Sequence, residues 1–298
     1  MSSTEADGVE EVCASCGKAA VDNIKLKICT ACRLVKYCSV ECQKNHRPHH
    51  KKACKKRAAE IRDDNLFRQP EESDSGECPI CCLPLPLDDG KYTLNSCCSK
   101  LICRGCCYAN YLREEEQGLE HKCPFCRELL PMTEEEADQN TMERVKANDP
   151  AALFNMGTRR RDEGDLEGAF QYYKKAAKLG NMNAHYNLGS FYEKGRGVEK
   201  DIKKKIYHLE EAAIGGHPDA RFNLGNHERR NGRMDRAIKH YIIGANLGDN
   251  YALEAVKTSF ALGFVSKEDY EAALREHQAA VDATKSAQRE EAYAFYNV

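Results

Sequence analysis

Cysteine is the residue through which this chain could do chemistry: it has 17, and the last of them is Cys126 in a sequence of 298 residues. Five pairs have C-x2-C spacing: Cys13/Cys16, Cys29/Cys32, Cys78/Cys81, Cys103/Cys106 and Cys123/Cys126. Such a pair curls round one metal ion, because the intervening backbone turns sharply and offers N–H groups to the sulfurs. Cys38/Cys42 and His50/Cys54 are spaced i,i+4, which places each pair on one face of a helix. The start, MSSTEADGVEEVC, is acidic and has no apolar segment, so a secretory signal is not expected and an intracellular, reducing setting is. There metal ligation is the better reading than disulfides. Zinc held by four protein ligands has no open position for water or substrate, so these sites are expected to be structural.

The first cluster offers Cys13, Cys16, Cys29, Cys32, Cys38, Cys42, His50 and Cys54, eight ligands for two tetrahedral ions. His49 is the competing imidazole, and the i+4 relation to Cys54 favours His50. With YCSVECQ in the middle and HKKAC at the end, the order of pairs resembles the MYND zinc finger. The resemblance implies interleaved sites: Cys13, Cys16, Cys38 and Cys42 on one zinc, and Cys29, Cys32, His50 and Cys54 on the other. It also implies capture of short proline-containing peptides, but Arg47 stands where the family has a groove tryptophan. Zinc binding is therefore the firmer expectation. Eight lysines and arginines lie between residues 44 and 62, against Glu60 as the acidic residue before Asp63. A solvated helix face that balances anionic zinc sites explains them better than a nucleic-acid patch.

The second cluster offers Cys78, Cys81, Cys97, Cys98, Cys103, Cys106, Cys123 and Cys126. Its weak point is the adjacent pair, since neighbouring side chains in extended backbone point apart, and His121 is an alternative to Cys97. Cys82 and Cys107 are left over as small buried hydrophobes or inert thiols. CPICC, LICRGC and CPFCR resemble a RING finger, closest to the all-cysteine kind of the Not-type ligases. That resemblance implies Cys78, Cys81, Cys103 and Cys106 on one zinc and Cys97, Cys98, Cys123 and Cys126 on another. It further implies docking of a ubiquitin-conjugating enzyme through Ile80, Pro124 and Arg127. Catalysis would then be pre-organisation of the partner's thioester rather than covalent chemistry by this chain. About four zinc ions are expected, and as thiolates are the binding form, the formal charge of -2 becomes about -9 in the loaded protein.

The rest of the chain supplies the elements. FNMG, YNLG and FNLG put Gly157, Gly189 and Gly225 at steps of 32 and 36 residues, and KKAAKLG, EEAAIGG and IIGANLG put Gly180, Gly216 and Gly248 at 36 and 32. The four extra residues fall in YEKGRGVEKD, and a degenerate fourth unit has Lys257 at the glycine position. Each unit reads as two amphipathic helices that cannot bury an apolar face alone and so must stack. This pattern, GRGVEKD above all, resembles the Sel-1-like branch of the tetratricopeptide-related repeats, which implies a protein-binding surface.

The expected architecture is multidomain: two small zinc-stabilised domains followed by an α-helical solenoid of Sel-1-like repeats. Its spans are a MYND-type finger at 13–54, a basic helix and acidic linker at 55–77, a RING-type finger at 78–127, a linker at 128–148, repeats at 149–281 and a tail at 282–298. A charge of -2 argues against a strongly basic nucleic-acid binder, and no apolar run approaches the roughly 20 residues needed to span a bilayer. Neither a hydrolytic constellation nor a phosphate-cradling glycine loop is present. The expected function is that of a RING-type ubiquitin-protein ligase or ligase subunit, cytoplasmic or nuclear, recruiting protein substrates or adaptor peptides through its repeats. The competing expectation is a non-enzymatic scaffold or transcriptional adaptor built from the same modules.

Overall fold

A computed structural model describes residues 12–20 and 25–296 and divides the chain into two units, Met1–Arg68 and Gln69–Val298. Residues 1–11 of the acidic opening segment, read above as no secretory signal, lie outside the described residues.

In the first unit β1 (Lys27–Ile28) pairs antiparallel with β2 (Lys36–Tyr37), and α1 follows over Val40–Leu66. The Ser39 hydroxyl caps α1 by accepting from the Cys42 N–H at 3.1 Å, which ties the start of the helix to a cysteine. Pro48 lies inside the helix and removes one i→i−4 bond. Three cysteines and Tyr37 supply the small core, with Cys13, Cys29, Cys32 and Tyr37 all buried and Cys38, Cys42 and Cys54 packed against them.

The second unit begins with β3 (Tyr92–Asn95) and β4 (Lys100–Cys103), antiparallel with Leu94 opposite Leu101, followed by α2 (Arg104–Gln117). Helix α3 (Glu134–Lys146) occupies the span read as a linker. The acidic stretch there is a helix start: Thr133 caps it, Glu134, Glu135 and Glu136 fill the first turn, and Arg144 and Lys146 fill the last, all matching the helix dipole. Four helix pairs then follow: α4 (Pro150–Asp162) with α5 (Leu166–Lys178), α6 (Met182–Lys194) with α7 (Ile202–Ile214), α8 (Pro218–Arg230) with α9 (Met234–Asn246), and α10 (Asn250–Ala261) with α11 (Lys267–Ala283). The span read as a tail carries a further helix, α12 (Ala287–Tyr296).

The periodic glycines set how closely each pair packs. A Cβ on Gly157 would lie 2.7 Å from the Tyr173 ring, and one on Gly225 would lie 2.4 Å from the Tyr241 ring. In the longer repeat Gly189 faces Leu209 instead. Where Lys257 replaces the glycine, the residue sixteen positions on is Ala273, and the bulk that needed the glycine is gone. The cores are apolar and aromatic, with Tyr173 edge-on to Phe191 at 5.5 Å. No helix among the described residues is long and apolar enough to cross a membrane.

Candidate metal centres

Four of the five C-x2-C pairs are built on the same turn, while Cys103/Cys106 opens α2, with the Cys103 sulfur accepting from the Cys106 N–H at 3.4 Å. The residue after the second cysteine has a left-handed backbone: Gly17 at φ 71°, Arg33 at 55°, Cys82 at 54° and Arg127 at 65°. Its N–H returns to the carbonyl of the first cysteine, from Gly17 to Cys13, Arg33 to Cys29, Cys82 to Cys78 and Arg127 to Cys123, at 2.9–3.0 Å. The first cysteine's own N–H donates further along, to the carbonyls of Lys18, Val35, Leu83 and Glu128 respectively. These four knuckles are thus set by backbone bonds.

The same turn explains the adjacent pair. Between β3 and β4 the Ser99 N–H donates to the Asn95 carbonyl at 2.8 Å, and Ser99 has φ 55°. Cys98 takes the place of a second knuckle cysteine, and Cys97, one residue earlier, lies within the turn rather than in extended backbone. The objection that neighbours point apart therefore does not apply here. His121 is engaged elsewhere: Nδ1 is 3.3 Å from the Glu114 carboxylate, Nε2 is 3.1 Å from that of Glu115, and its ring stacks on Tyr111.

The side chains converge in four groups, each with ligand atoms within 4.8 Å of one another: Cys13, Cys16, Cys38 and Cys42; Cys29, Cys32, His50 and Cys54; Cys78, Cys81, Cys103 and Cys106; and Cys97, Cys98, Cys123 and Cys126. Sulfur separations run from 3.4 Å (Cys97 to Cys126) through 3.6 Å (Cys16 to Cys38) and 3.8 Å (Cys81 to Cys103) to 3.9 Å (Cys98 to Cys123). A regular tetrahedron with Zn–S near 2.3 Å has edges of roughly 3.8 Å. All 17 cysteines are free thiols, with none in a disulfide. His50 is buried with Nε2 at 3.1 Å from the Cys32 sulfur, whereas His49 is exposed. His46 is half-buried: it stacks on His50 and hydrogen-bonds the Tyr37 hydroxyl at 3.1 Å.

Electrostatics favours a cation in these groups. Burial opposes charge on Cys13, but the backbone N–H groups of Cys38, Cys16 and Ser15 outweigh it and bring the thiol to about 6. Cys29 comes to about 6 as well, its burial outweighed by the N–H groups of Cys32 and Ala31. Their neighbours go the other way: burial and contact with Cys32 and Cys29 push Cys54 up to about 11, and burial pushes Cys98 up to about 11. Four thiols this close cannot ionise together unless a cation joins them, and the S4 and S3N sets with tetrahedral spacing suit zinc. The clusters thus fit several zinc ions.

The remaining residues divide. Burial pushes Cys107 up to about 12, as expected of an inert thiol. Cys82 is exposed rather than buried, because it occupies the left-handed position of a knuckle. Ile80 is 40% exposed, and Arg127 is exposed with Nη1 at 3.3 Å from the Asn110 oxygen. Pro124 is half-buried beside a cavity of about 490 Å³ that Ala137, Asp138 and Thr141 of α3 also line. Phe125, 44% exposed between Cys123 and Cys126, was passed over at the sequence level although CPFC itself displays it.

Residues 13–54 match the MYND finger family, and residues 150–181, 183–217 and 218–249 match the Sel1 repeat. The chain is 44% identical over 57 residues to DAP3-binding cell death enhancer 1 of Mus musculus, a stretch covering 19% of this chain and 11% of that protein. It is 39% identical over 56 residues to a putative beta-lactamase HcpC of Helicobacter pylori, covering 19% of each. The chain thus spans 11–19% of the length of these curated relatives. Among solved structures, a Sel1 repeat protein from Oxalobacter formigenes aligns with TM-score 0.44 and 25% identity, over 65% of this chain and 78% of that one. The protective antigen c5321 of uropathogenic Escherichia coli aligns at 0.40 and 19%, over 64% of this chain and 39% of its own. The chain therefore contains a MYND finger at residues 13–54 and Sel1 repeats at 150–249, joined to a second cysteine-rich region.

Proposed function

We infer that this chain, a zinc finger joined to Sel1 repeats, is a protein–protein interaction module. We propose, more specifically, that Cys78, Cys81, Cys97, Cys98, Cys103, Cys106, Cys123 and Cys126 bind two zinc ions as a RING-type finger. With the two of the MYND finger, held by Cys13, Cys16, Cys29, Cys32, Cys38, Cys42, His50 and Cys54, the chain carries about four. The finger docks a ubiquitin-conjugating enzyme through Ile80, Pro124 and Arg127, and the repeats recruit the protein to be modified, in the cytoplasm or nucleus. The observation that carries this reading is the interleaving of the second cluster, first pair with third and second with fourth, with apolar Ile80 and Phe125 left facing solvent. Arg127 adds a planar fork of donors at the edge of that surface. One relative is named for binding another protein, in keeping with recruitment through a partner surface.

The test is ubiquitin transfer with purified activating enzyme and a broad panel of conjugating enzymes, with zinc measured on the same sample. Chain formation that is lost on Ile80→Ala and on Arg127→Ala supports docking. Full activity in both variants removes those residues from the role. A second reading has its own observation: Pro124 shares its cavity with the chain's own helix α3. In that reading the region is a scaffold module, and no conjugating enzyme in the panel yields transfer.

A further inference from the structure

Helix α12 lies more than 160 residues beyond the last cysteine, yet it packs on the second cluster. The Tyr108 ring of α2 lies tilted against Phe295 with centroids 4.7 Å apart, and the Arg104 guanidinium sits over the Tyr296 ring at 4.9 Å. The Gln288 amide donates to the Gly105 carbonyl at 3.1 Å. A Cβ on Gly105 would lie 2.9 Å from the Arg289 Cγ, so the helix seats where α2 has no side chain.

At the centre of this contact is Arg289, 1% exposed. Nη1 donates to the carbonyls of Pro84 at 2.7 Å and Thr284 at 2.6 Å. Nη2 donates to the carbonyl of Leu83 at 3.1 Å and to the Cys81 sulfur at 3.4 Å. The Leu83 carbonyl also accepts from the Cys78 N–H at 3.0 Å, the bond that closes the knuckle. Arginine keeps its charge when buried, and a buried cation is costly unless an anion is close. Among the described residues no carboxylate pairs with Arg289; the anionic candidate beside it is the cysteine group of Cys78, Cys81, Cys103 and Cys106. Zn²⁺ with four thiolates carries a net charge of about -2, which is the counter-charge this guanidinium lacks.

We propose that Arg289 is a positioning residue for the metal ion held by Cys78, Cys81, Cys103 and Cys106, and that α12 is a clamp the finger needs to retain that ion. The inference rests on the zinc reading of this group and goes beyond it. The guanidinium neutralises part of the thiolate charge, holds the Cys81 sulfur and pins the knuckle backbone through the Leu83 carbonyl. Hydrogen bonds to metal ligands of this kind are worth roughly 10–100-fold in affinity.

The experiment measures zinc release from the full-length, zinc-loaded chain to a chromogenic chelator, with Arg289→Met, Arg289→Lys and Phe295→Ser beside the native protein. Arg289→Met is expected to release one zinc per chain about tenfold faster, while Arg289→Lys, which keeps the charge, stays within about threefold of native. Phe295→Ser loosens the helix but spares the guanidinium, and lies between them. Cadmium-113 spectra of the loaded proteins give a second readout: Arg289→Met should move one resonance and leave the others in place. Release rates unchanged in Arg289→Met, with every cadmium resonance unmoved, overturn the inference while leaving the zinc reading intact. A native chain without metal on the second cluster overturns both.

Discussion

The two cysteine clusters use one kind of knuckle and one interleaved ligand order, yet they differ in what surrounds the metal groups. In the MYND finger Cys13, Cys29, Cys32 and His50 are buried, but Cys16 is exposed and Cys38, Cys42 and Cys54 are half-exposed, and α1, which carries three of the ligands, also carries lysines in water. In the second cluster Cys78, Cys103 and Cys123 are wholly buried, and Cys98 and Cys106 nearly so. Solvent and a basic helix face can balance thiolate charge at the first. At the deepest group of the second, Cys78, Cys81, Cys103 and Cys106, the balancing cation has to be built into the core, and Arg289 is placed there. The difference teaches that depth of burial, rather than the ligand set, decides whether a metal centre needs help from distant sequence.

The largest expected effect separates both clusters from the repeats. Removing zinc with a strong chelator should unfold the two clusters, since each small core consists mainly of the ligands themselves. The cores of α4–α11 contain no cysteine and should persist, so far-UV circular dichroism should keep most of its helical signal. Loss of nearly all helix on chelation would break the distinction. In the converse test, Tyr241→Ala empties the space over Gly225 and should cost about 3–5 kcal/mol of repeat stability. Zinc content should stay at the native value, and a parallel loss of zinc would tie the clusters to the repeats.

How much of this was legible in the sequence follows from range. Ligand spacing is local, so the C-x2-C pairs and the i,i+4 pairs could be read directly, as could the glycines that recur with the repeat. The Cys97/Cys98 turn was harder, because it depends on Ser99 adopting a left-handed backbone that nothing in its side chain demands. Helix α3 was hidden by an acidic composition that suits a linker and a helix N-terminus equally. Arg289 could not be found at all: one arginine in a polar C-terminal segment carries no periodic signal, and its partners at Cys81 and Pro84 lie about two hundred residues earlier.

Acid sharpens the contrast by a different route. Burial holds His208 and His217 down to about 4 in the folded repeats, against 6.5 for an ordinary histidine. The unfolded chain therefore binds more protons than the folded chain between those values. Stability of the repeats is complete above about pH 6.5 and falls as the pH drops toward 4, by a few kcal/mol in all after allowance for partial exposure of His208. Thermal denaturation of the chelated protein beside its His208→Gln and His217→Gln variants separates this term from that of His240, also held down by burial, and from Asp74, whose buried carboxyl is held up to about 7 and acts with the opposite sign. A pH dependence of the melting temperature unchanged in both variants would exclude these histidines as the cause.

The smallest expected effect compares two arginines in one geometry. Arg33 in the MYND finger and Arg127 in the second cluster both follow a C-x2-C pair with positive φ, 55° and 65°. A left-handed backbone costs a side-chain-bearing residue about 1 kcal/mol that glycine avoids, while glycine gives back part of that through the unfolded chain. Arg33→Gly and Arg127→Gly should therefore leave zinc content unchanged and alter stability by no more than about 1 kcal/mol, whereas alanine at either position keeps the strain and is the worse replacement. The two sites should part in function. If Arg127 docks a conjugating enzyme, Arg127→Gly abolishes ubiquitin transfer with the finger intact, and Arg33→Gly leaves transfer at the native rate. Transfer that survives Arg127→Gly would reduce both arginines to surface cations on a turn.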